Sequence, residues 1–344
     1  MKRFIVLCFI CICYPCLGLI HYLEKDSQLT NSPVDLQDIW DCHGQWGSFS
    51  GVTISSRHFI TAKHSGAYQY FILNGEKYDI MGYYDDPTSD LRICKIRSNF
   101  KKWVGLNTDL SEIGKNVKIF GRGVPRGQEI KRENELVGWQ WGQYDGYLRW
   151  GDNLVNNILS SKDGDALVIP FRVRRDILHL VSLSWGDSGA GVVLYDEQQK
   201  IWKLCGINYA IQGPFSSNNL GLDSVNGALF NTSGWFLYDG VRWFPQADTS
   251  SSLSYAIRIS TRRVWINDVL RLTADIPIPV VQFSQEFNGS WEDETDPIYN
   301  GIDALISVIA PAETTFYRLK SDRRIQIVEI IRNGPLLTFR YRAL

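Results

Sequence analysis

The chain has 344 residues, 44% of them apolar, with 36 Lys and Arg against 37 Asp and Glu for a formal net charge of −1. That size can bury one large core with room for a small satellite. The balanced charge, with no basic stripe and no nucleic-acid motif, speaks against a nucleic-acid partner. The 29 glycines and 13% aromatic content suit a turn-rich, β-heavy chain.

Residues 1–18 read as a signal peptide. Lys2 and Arg3 form a basic start, Phe4 to Cys13 an apolar run, and Cys16-Leu17-Gly18 a small-residue cleavage site, so the mature chain is expected to begin near Leu19. The apolar run is too short to span a bilayer comfortably, and no stable membrane insertion is expected after cleavage. Tyr14-Pro15 before Cys16 is a poor context for lipidation. The expected localisation is therefore secreted, periplasmic or extracellular. Cleavage leaves Cys42, Cys94 and Cys205, an odd number that cannot pair completely, so stability must come from packing.

Residues 19–41 are polar and irregular and read as an N-terminal arm. Strand signals follow at Gly51 to Ile54, His58 to Thr61, Tyr68 to Leu73 and Lys77 to Tyr83, the last two joined by the hairpin dipeptide Asn74-Gly75. Leu91 to Ile96 alternates, and Asn116 to Phe120 reads as another strand. The Trp- and Tyr-rich stretch from Gly138 to Gly151 reads as a hairpin over part of a cleft. Leu167 to Val173, Ile177 to Leu183, Gly191 to Tyr195 and Trp202 to Ile211 complete the set. Strands this short and frequent, without a sustained helical period, predict an all-β sandwich or barrel.

One helix is expected after Arg258-Ile259-Ser260, capped by Ser260 or Thr261, with Val264, Trp265 and Leu270 on its buried side. Residues 272–279, with Ile276-Pro277-Ile278-Pro279, read as an extended linker. Residues 280–344 carry further strand-like runs and read as a small β accessory module. Such a module has two readings, binding to a surface or matrix and packing against the rest of the chain, and the sequence does not decide between them. Asn231-Thr232-Ser233 and Asn288-Gly289-Ser290 fit a glycosylation sequon, relevant only in a eukaryotic source.

Three segments carry the chemistry. Ser188 lies in Ser182-Leu183-Ser184-Trp185-Gly186-Asp187-Ser188-Gly189-Ala190, where the flanking glycines suit a tight turn that projects a hydroxyl. His64 follows Thr61-Ala62-Lys63 at the end of an apolar run, and Asp90 opens the alternating Leu91 to Ile96. His21, His43, His58 and His179 lack such a context. Asp85 and Asp86, in Tyr84-Asp85-Asp86-Pro87, read as turn residues.

In order and context these segments resemble the histidine, aspartate and serine motifs of the trypsin/chymotrypsin-like serine proteases, over roughly Cys42 to Leu270. The resemblance implies two packed antiparallel β-barrels with the active site between them and a C-terminal helix, residues 42–271 forming the protease domain. Ser65 after His64, and the lack of the cysteine set of the animal enzymes, point to a bacterial-type secreted member. It further implies His64, Asp90 and Ser188 as catalytic residues, the amides of Gly186 and Ser188 as the oxyanion hole, and a polypeptide substrate. No metal or organic cofactor is implied. Ser182 would form the base of the primary pocket; not being acidic, it argues against cleavage after Arg or Lys. Tyr209, Ala210 and Ile211 would pair with the substrate backbone, with Ile211 narrowing the pocket mouth. In many relatives the carboxylate matching Asp187 pairs with a newly exposed N-terminal amine, but no Ile-Val-Gly-Gly-like start precedes Cys42. An inactive binding homologue and an esterase with the same triad are the alternative readings.

Overall fold

The computed structural model describes residues 19–23, 29–248, 250–273, 279–286, 288–294, 297–300, 305–310, 315–321 and 324–343. The expected signal peptide and most of the expected linker lie outside them. Strands His43–Trp46, Phe49–Ser55, His58–Ala62, Leu91–Ile96, Glu76–Asp85 and Tyr70–Leu73 form a closed barrel in that spatial order. The Asn74-Gly75 dipeptide makes the two-residue turn, with Leu73 opposite Glu76. Trp46, Phe59, Phe71, Cys94 and Ile96 fill the barrel, and the Phe59 and Phe71 rings stack at 4.0 Å.

The pleat explains why His58–Ala62 and Leu91–Ile96 are nearly continuous apolar runs. Successive side chains point to opposite faces. Phe59, Cys94 and Ile96 go into the barrel, while Ile60, Ala62, Leu91 and Ile93 go to a second cluster. That second cluster also takes Ile207 and Ile257 from the other half of the molecule.

There, strands Arg149–Leu154, Asn116–Gly121, Gly191–Asp196, Ile201–Ile211, Leu253–Arg258, Gly164–Pro170 and Asn157–Ser161 follow one another by pairing. The first and last in this order are two halves of one chain segment separated by Val155 and Asn156, so the sheet returns on itself as a second barrel. Its interior holds Val117, Ile119, Leu167, Val192 and Ala256. The fold is all-β, with two barrels and a closing helix, Arg263–Thr273. Ile266, Val269 and Leu270 bury the helix against the inter-barrel cluster.

Several local expectations need correction. Val264 is 68% exposed, because the buried stripe runs through Ile266, Val269 and Leu270. Ser260 does not cap the helix; its hydroxyl donates to Glu112 Oε1 at 2.6 Å, in a buried group with Arg258. Gly138 to Gly151 is not one hairpin: Glu135–Trp141 pairs with Arg126–Arg132 and Gly227–Leu229, whereas Arg149–Leu154 belongs to the second barrel. Of Ile177 to Leu183, only Val181–Ser182 is a strand, and its partner is Ile20–His21. The N-terminal segment is thus threaded into the molecule, with Leu19 and Ile20 fully buried.

Cys42, Cys94 and Cys205 are buried free thiols. The C-terminal strands form two small sheets around Val281, Ile306, Val308, Phe339 and Tyr341. Among the described residues no helix is long and apolar enough to cross a membrane.

Candidate active site

Ala62 pairs with Leu91 at the last rung of the ladder between their strands. The chains leave that rung together: Lys63 N–H donates to Asp90 O at 2.8 Å, and His64 N–H to Asp90 Oδ1 at 3.0 Å. The other carboxylate oxygen, Oδ2, lies 2.5 Å from His64 Nδ1. The Asp90 side chain is nearly buried and the His64 side chain is 40% exposed. With the Nδ1 proton directed at Asp90, Nε2 is left to accept, and Ser188 Oγ lies 2.9 Å from it. A carboxylate, an imidazole and a hydroxyl therefore stand in one hydrogen-bonded line.

The neighbouring carboxylates are used elsewhere. Asp85 pairs with Arg92 at 2.6 Å, and Asp86 accepts from Thr88 N–H and from the Ser89 hydroxyl within its own turn. The remaining histidines are also engaged away from Ser188. His21 bonds Trp150 O, His43 bonds Ile39 O, His58 bonds Thr273, and the His179 ring packs on Trp150. Burial pushes both His43 and His58 down to about 3, so each is neutral at ordinary pH.

Ser188 sits in a loop held by discrete ties. Its carbonyl accepts from Ser50 N–H at 3.1 Å, and the next amide, of Gly189, donates to Asn208 O at 3.0 Å. Gly189 has φ +83, and a Cβ there would meet Ser50 O at 2.1 Å, so only glycine fits. Gly186 has φ +94 and lies against Gly123. This conformation turns the peptide so that the Gly186 and Ser188 amides have no acceptor among the described residues. Two unpaired N–H donors thus lie in the same turn as the hydroxyl, donors of the kind an oxyanion needs.

Asp187 is fully buried. Oδ1 accepts from Gly123 N–H at 2.7 Å, and Oδ2 from Ser184 N–H at 2.7 Å and Ser184 Oγ at 3.0 Å. Burial nevertheless pushes this carboxyl up to about 7, the three hydrogen bonds opposing it only in part. Leu19 reaches the same place. A Cβ on Gly121 would meet Asp187 Oδ1 at 2.1 Å and Leu19 Cδ2 at 2.9 Å.

The expected substrate contacts are dispersed in role. Ser182 is buried, paired with Ile20, and its hydroxyl lies 3.2 Å from Ser254 Oγ. Ile211 packs against the interior cluster of the second barrel. Tyr209 sets its ring edge-on to His64, with centroids 6.0 Å apart, and donates its hydroxyl to Asp163 Oδ2 at 2.7 Å. Ala210 follows on the same strand, opposite Tyr255.

Asp163 is a residue that sequence reasoning missed. Its carbonyl accepts from Asp90 N–H at 3.0 Å while its carboxylate holds Tyr209. In the sequence, Lys162-Asp163-Gly164 falls between the predicted elements and carries no motif. Phe49, Trp185 and Tyr144 also surround the site without having been singled out for it.

No protein-family model matches the chain, and no curated protein matches it. Among solved structures it is similar to neuropsin, a serine protease expressed in the limbic system of mouse brain. The identity is 12% over 69% of this chain and 97% of that one, with a TM-score of 0.42. It is also similar to Rv3671c from M. tuberculosis, in the inactive form of a serine-to-alanine mutant. There the identity is 12% over 71% of this chain and 95% of that one, with a TM-score of 0.41. Likeness this distant assigns no role to any residue.

Proposed function

We propose that this chain is a secreted serine endopeptidase that cleaves peptide bonds by acyl transfer. The observation that carries the reading is the line Asp90–His64–Ser188, with separations of 2.5 and 2.9 Å, beside the unpaired amides of Gly186 and Ser188. Ser188 Oγ attacks the substrate carbonyl while His64 Nε2 takes its proton, and Asp90 holds the imidazolium and its tautomer. The two amides receive the developing oxyanion, a contribution of about 3–4 kcal/mol per donor. The C–N bond then breaks as His64 returns the proton to the leaving amine. Water, deprotonated by the same imidazole, hydrolyses the acyl-enzyme. The hydroxyl-bearing, uncharged Ser182 favours an apolar residue on the acyl side over Arg or Lys.

The reading extends to activation. Cleavage after Gly18 would make Leu19 the first residue and give it an α-amino cation, since that group titrates near 8. Leu19 is buried beside Asp187, and among the described residues no basic side chain pairs with that carboxylate. Leader removal itself then supplies a cation nearer to the carboxylate than Arg149, whose charge already acts on it from a distance.

The test is labelling of the mature chain with a fluorophosphonate probe, beside Ser188→Ala and His64→Ala. Labelling of the wild type alone is expected, followed by turnover of matched amide and ester substrates. A folded mature chain that remains unlabelled would sink the reading, and turnover of esters without amides would replace it with an esterase.

A further inference from the structure

Five rings run across the candidate active site at nearly even spacing. Tyr144 meets Trp185 at 6.3 Å, Trp185 meets Phe49 at 6.1 Å, Phe49 meets His64 at 6.3 Å and His64 meets Tyr209 at 6.0 Å. The imidazole that would move the proton therefore has two aromatic neighbours, Phe49 and Tyr209. Resting on the endopeptidase reading above, we infer that Trp185, with Phe49 and Tyr144, forms the subsite for the residue on the leaving-group side of the scissile bond, and that it selects an apolar side chain there, aromatic above all.

Strand pairing decides which side is which. Gly191–Asp196 pairs with Ile201–Ile211 only as far as Ile207, whereas Leu253–Arg258 continues beside it to Ile211. Residues 209–211 thus present a strand edge with a partner on one side alone, where an extended substrate can add as a further strand. That edge takes the acyl portion, and Tyr209 belongs to it. A chain that crosses Ser188 from this edge must leave on the other side of His64. Phe49, the aromatic neighbour of His64 that does not belong to this edge, is next to Ser50, whose amide holds the Ser188 carbonyl.

Trp185 is not needed to build its own loop. The turn is fixed through its backbone, with Trp185 O accepting from Val124 N–H at 2.8 Å, and through the Asp187 carboxylate. Trp185 is 51% exposed, and its ring lies edge-on to Tyr144 and tilted against Phe49. A large apolar ring left half in water at the lip of a reactive site has surface to offer a ligand, and aromatic side chains anchor such contacts well. Charged residues would lose hydration against this wall without gaining a partner.

The experiment uses internally quenched peptides that share one acyl-side sequence and differ only after the scissile bond, carrying Phe, Leu, Ala, Lys or Asp. In the mature wild type, kcat/KM for Phe is expected to exceed that for Ala by about tenfold, with Lys and Asp lowest. In Trp185→Ala the Phe-to-Ala ratio should fall to about twofold, and in Tyr144→Ala to an intermediate value. Each ratio is taken within one protein, so general damage to turnover cancels. A flat profile in a protein that labels with the phosphonate overturns this inference alone, as does a ratio unchanged in Trp185→Ala. A mature protein that neither labels nor cleaves brings down the endopeptidase reading and this inference together.

Discussion

The two halves of the site are held by different kinds of interaction. His64 and Asp90 leave a β-ladder one or two residues past its last rung, and backbone hydrogen bonds continue the register up to the carboxylate itself. Ser188 belongs to a loop whose shape depends on a few single ties: the Asp187 carboxylate, Ser50 N–H and Asn208 O. Precision in the first half is a by-product of sheet formation. In the second half it rests on individual groups, each of which can be removed without unfolding a barrel. The acid–base pair and the nucleophile can therefore be broken separately.

Asp90→Asn should have the largest effect. An amide of the same shape preserves the ladder, yet it can donate to Nδ1 and hold the imidazole in the wrong tautomer. Turnover is expected to fall by about 10⁴-fold, as it does when such a carboxylate is neutralised in a triad of this type, while the melting temperature stays close to wild type. A turnover loss under tenfold would mean that Asp90 merely packs against His64. Asp187→Asn attacks the other half. Its amide nitrogen cannot accept, so either Gly123 N–H or the Ser184 pair loses its partner, and the Gly186 turn is set free. A drop in phosphonate labelling rate of about 100-fold is expected, the scale of losing one oxyanion donor. The short His64–Asp90 bond should survive, visible as a downfield imidazole proton in NMR. Its disappearance in Asp187→Asn would show that the two halves are not independent.

This division also explains what could be read from the sequence. Asn74-Gly75 and the alternation of Leu91 to Ile96 act over a few residues, so turn chemistry and pleat were legible directly. Ser188, His64 and Asp90 each stand in a distinctive local setting, and it was the family resemblance carried by those settings that put the three side chains together. Asp163 was not, because its link to Asp90 and Tyr209 exists only once a hairpin of the second barrel reaches the first. The aromatic wall draws on residues 49, 144 and 185, which no window of sequence brings together. Ile20–His21 is a strand of two residues, too short for any periodicity, and its burial comes from Trp139, Phe171 and Leu180. Val264 was misplaced because it lies off the buried stripe of Ile266, Val269 and Leu270.

A smaller effect concerns pH and the N-terminus. Asp187 is pushed up to about 7 by burial, above its ordinary 3.8. Between those values the folded state holds more protons than the unfolded one, so stability falls as pH rises from about 4 to about 7. A cation at Leu19 would reverse this by favouring the carboxylate. A chain with extra residues before Leu19 is therefore expected to lose stability across that window relative to the mature chain, read as diverging melting temperatures. His43 and His58 act in the opposite sense. Held near 3, they cost stability as pH falls below about 6.5, but equally in both forms. The divergence should vanish in Asp187→Asn. Parallel curves for the extended and mature chains would remove Leu19 as the partner of Asp187.

Tyr209→Phe should be the mildest change, and it bears on Asp163, whose carbonyl ties the second barrel to Asp90. The substitution keeps the ring beside His64 and removes the hydroxyl that donates to Asp163 Oδ2. The carboxylate loses a partner on a part-buried surface, a cost of about 1 kcal/mol that corresponds to about fivefold in rate or affinity. If Asp163 orients Tyr209 for the substrate, the loss falls on KM, because the strand edge at 209–211 is less well placed to receive a peptide. If it instead steadies Asp90 through its carbonyl, the loss falls on kcat and shifts the pH–rate profile of His64. The backbone bond from Asp90 N–H does not depend on the Tyr209 hydroxyl, so the expected outcome is a change in KM with the profile unmoved. A kcat effect of fivefold or more would show that the tie between the barrels tunes the acid–base pair as well as the binding edge.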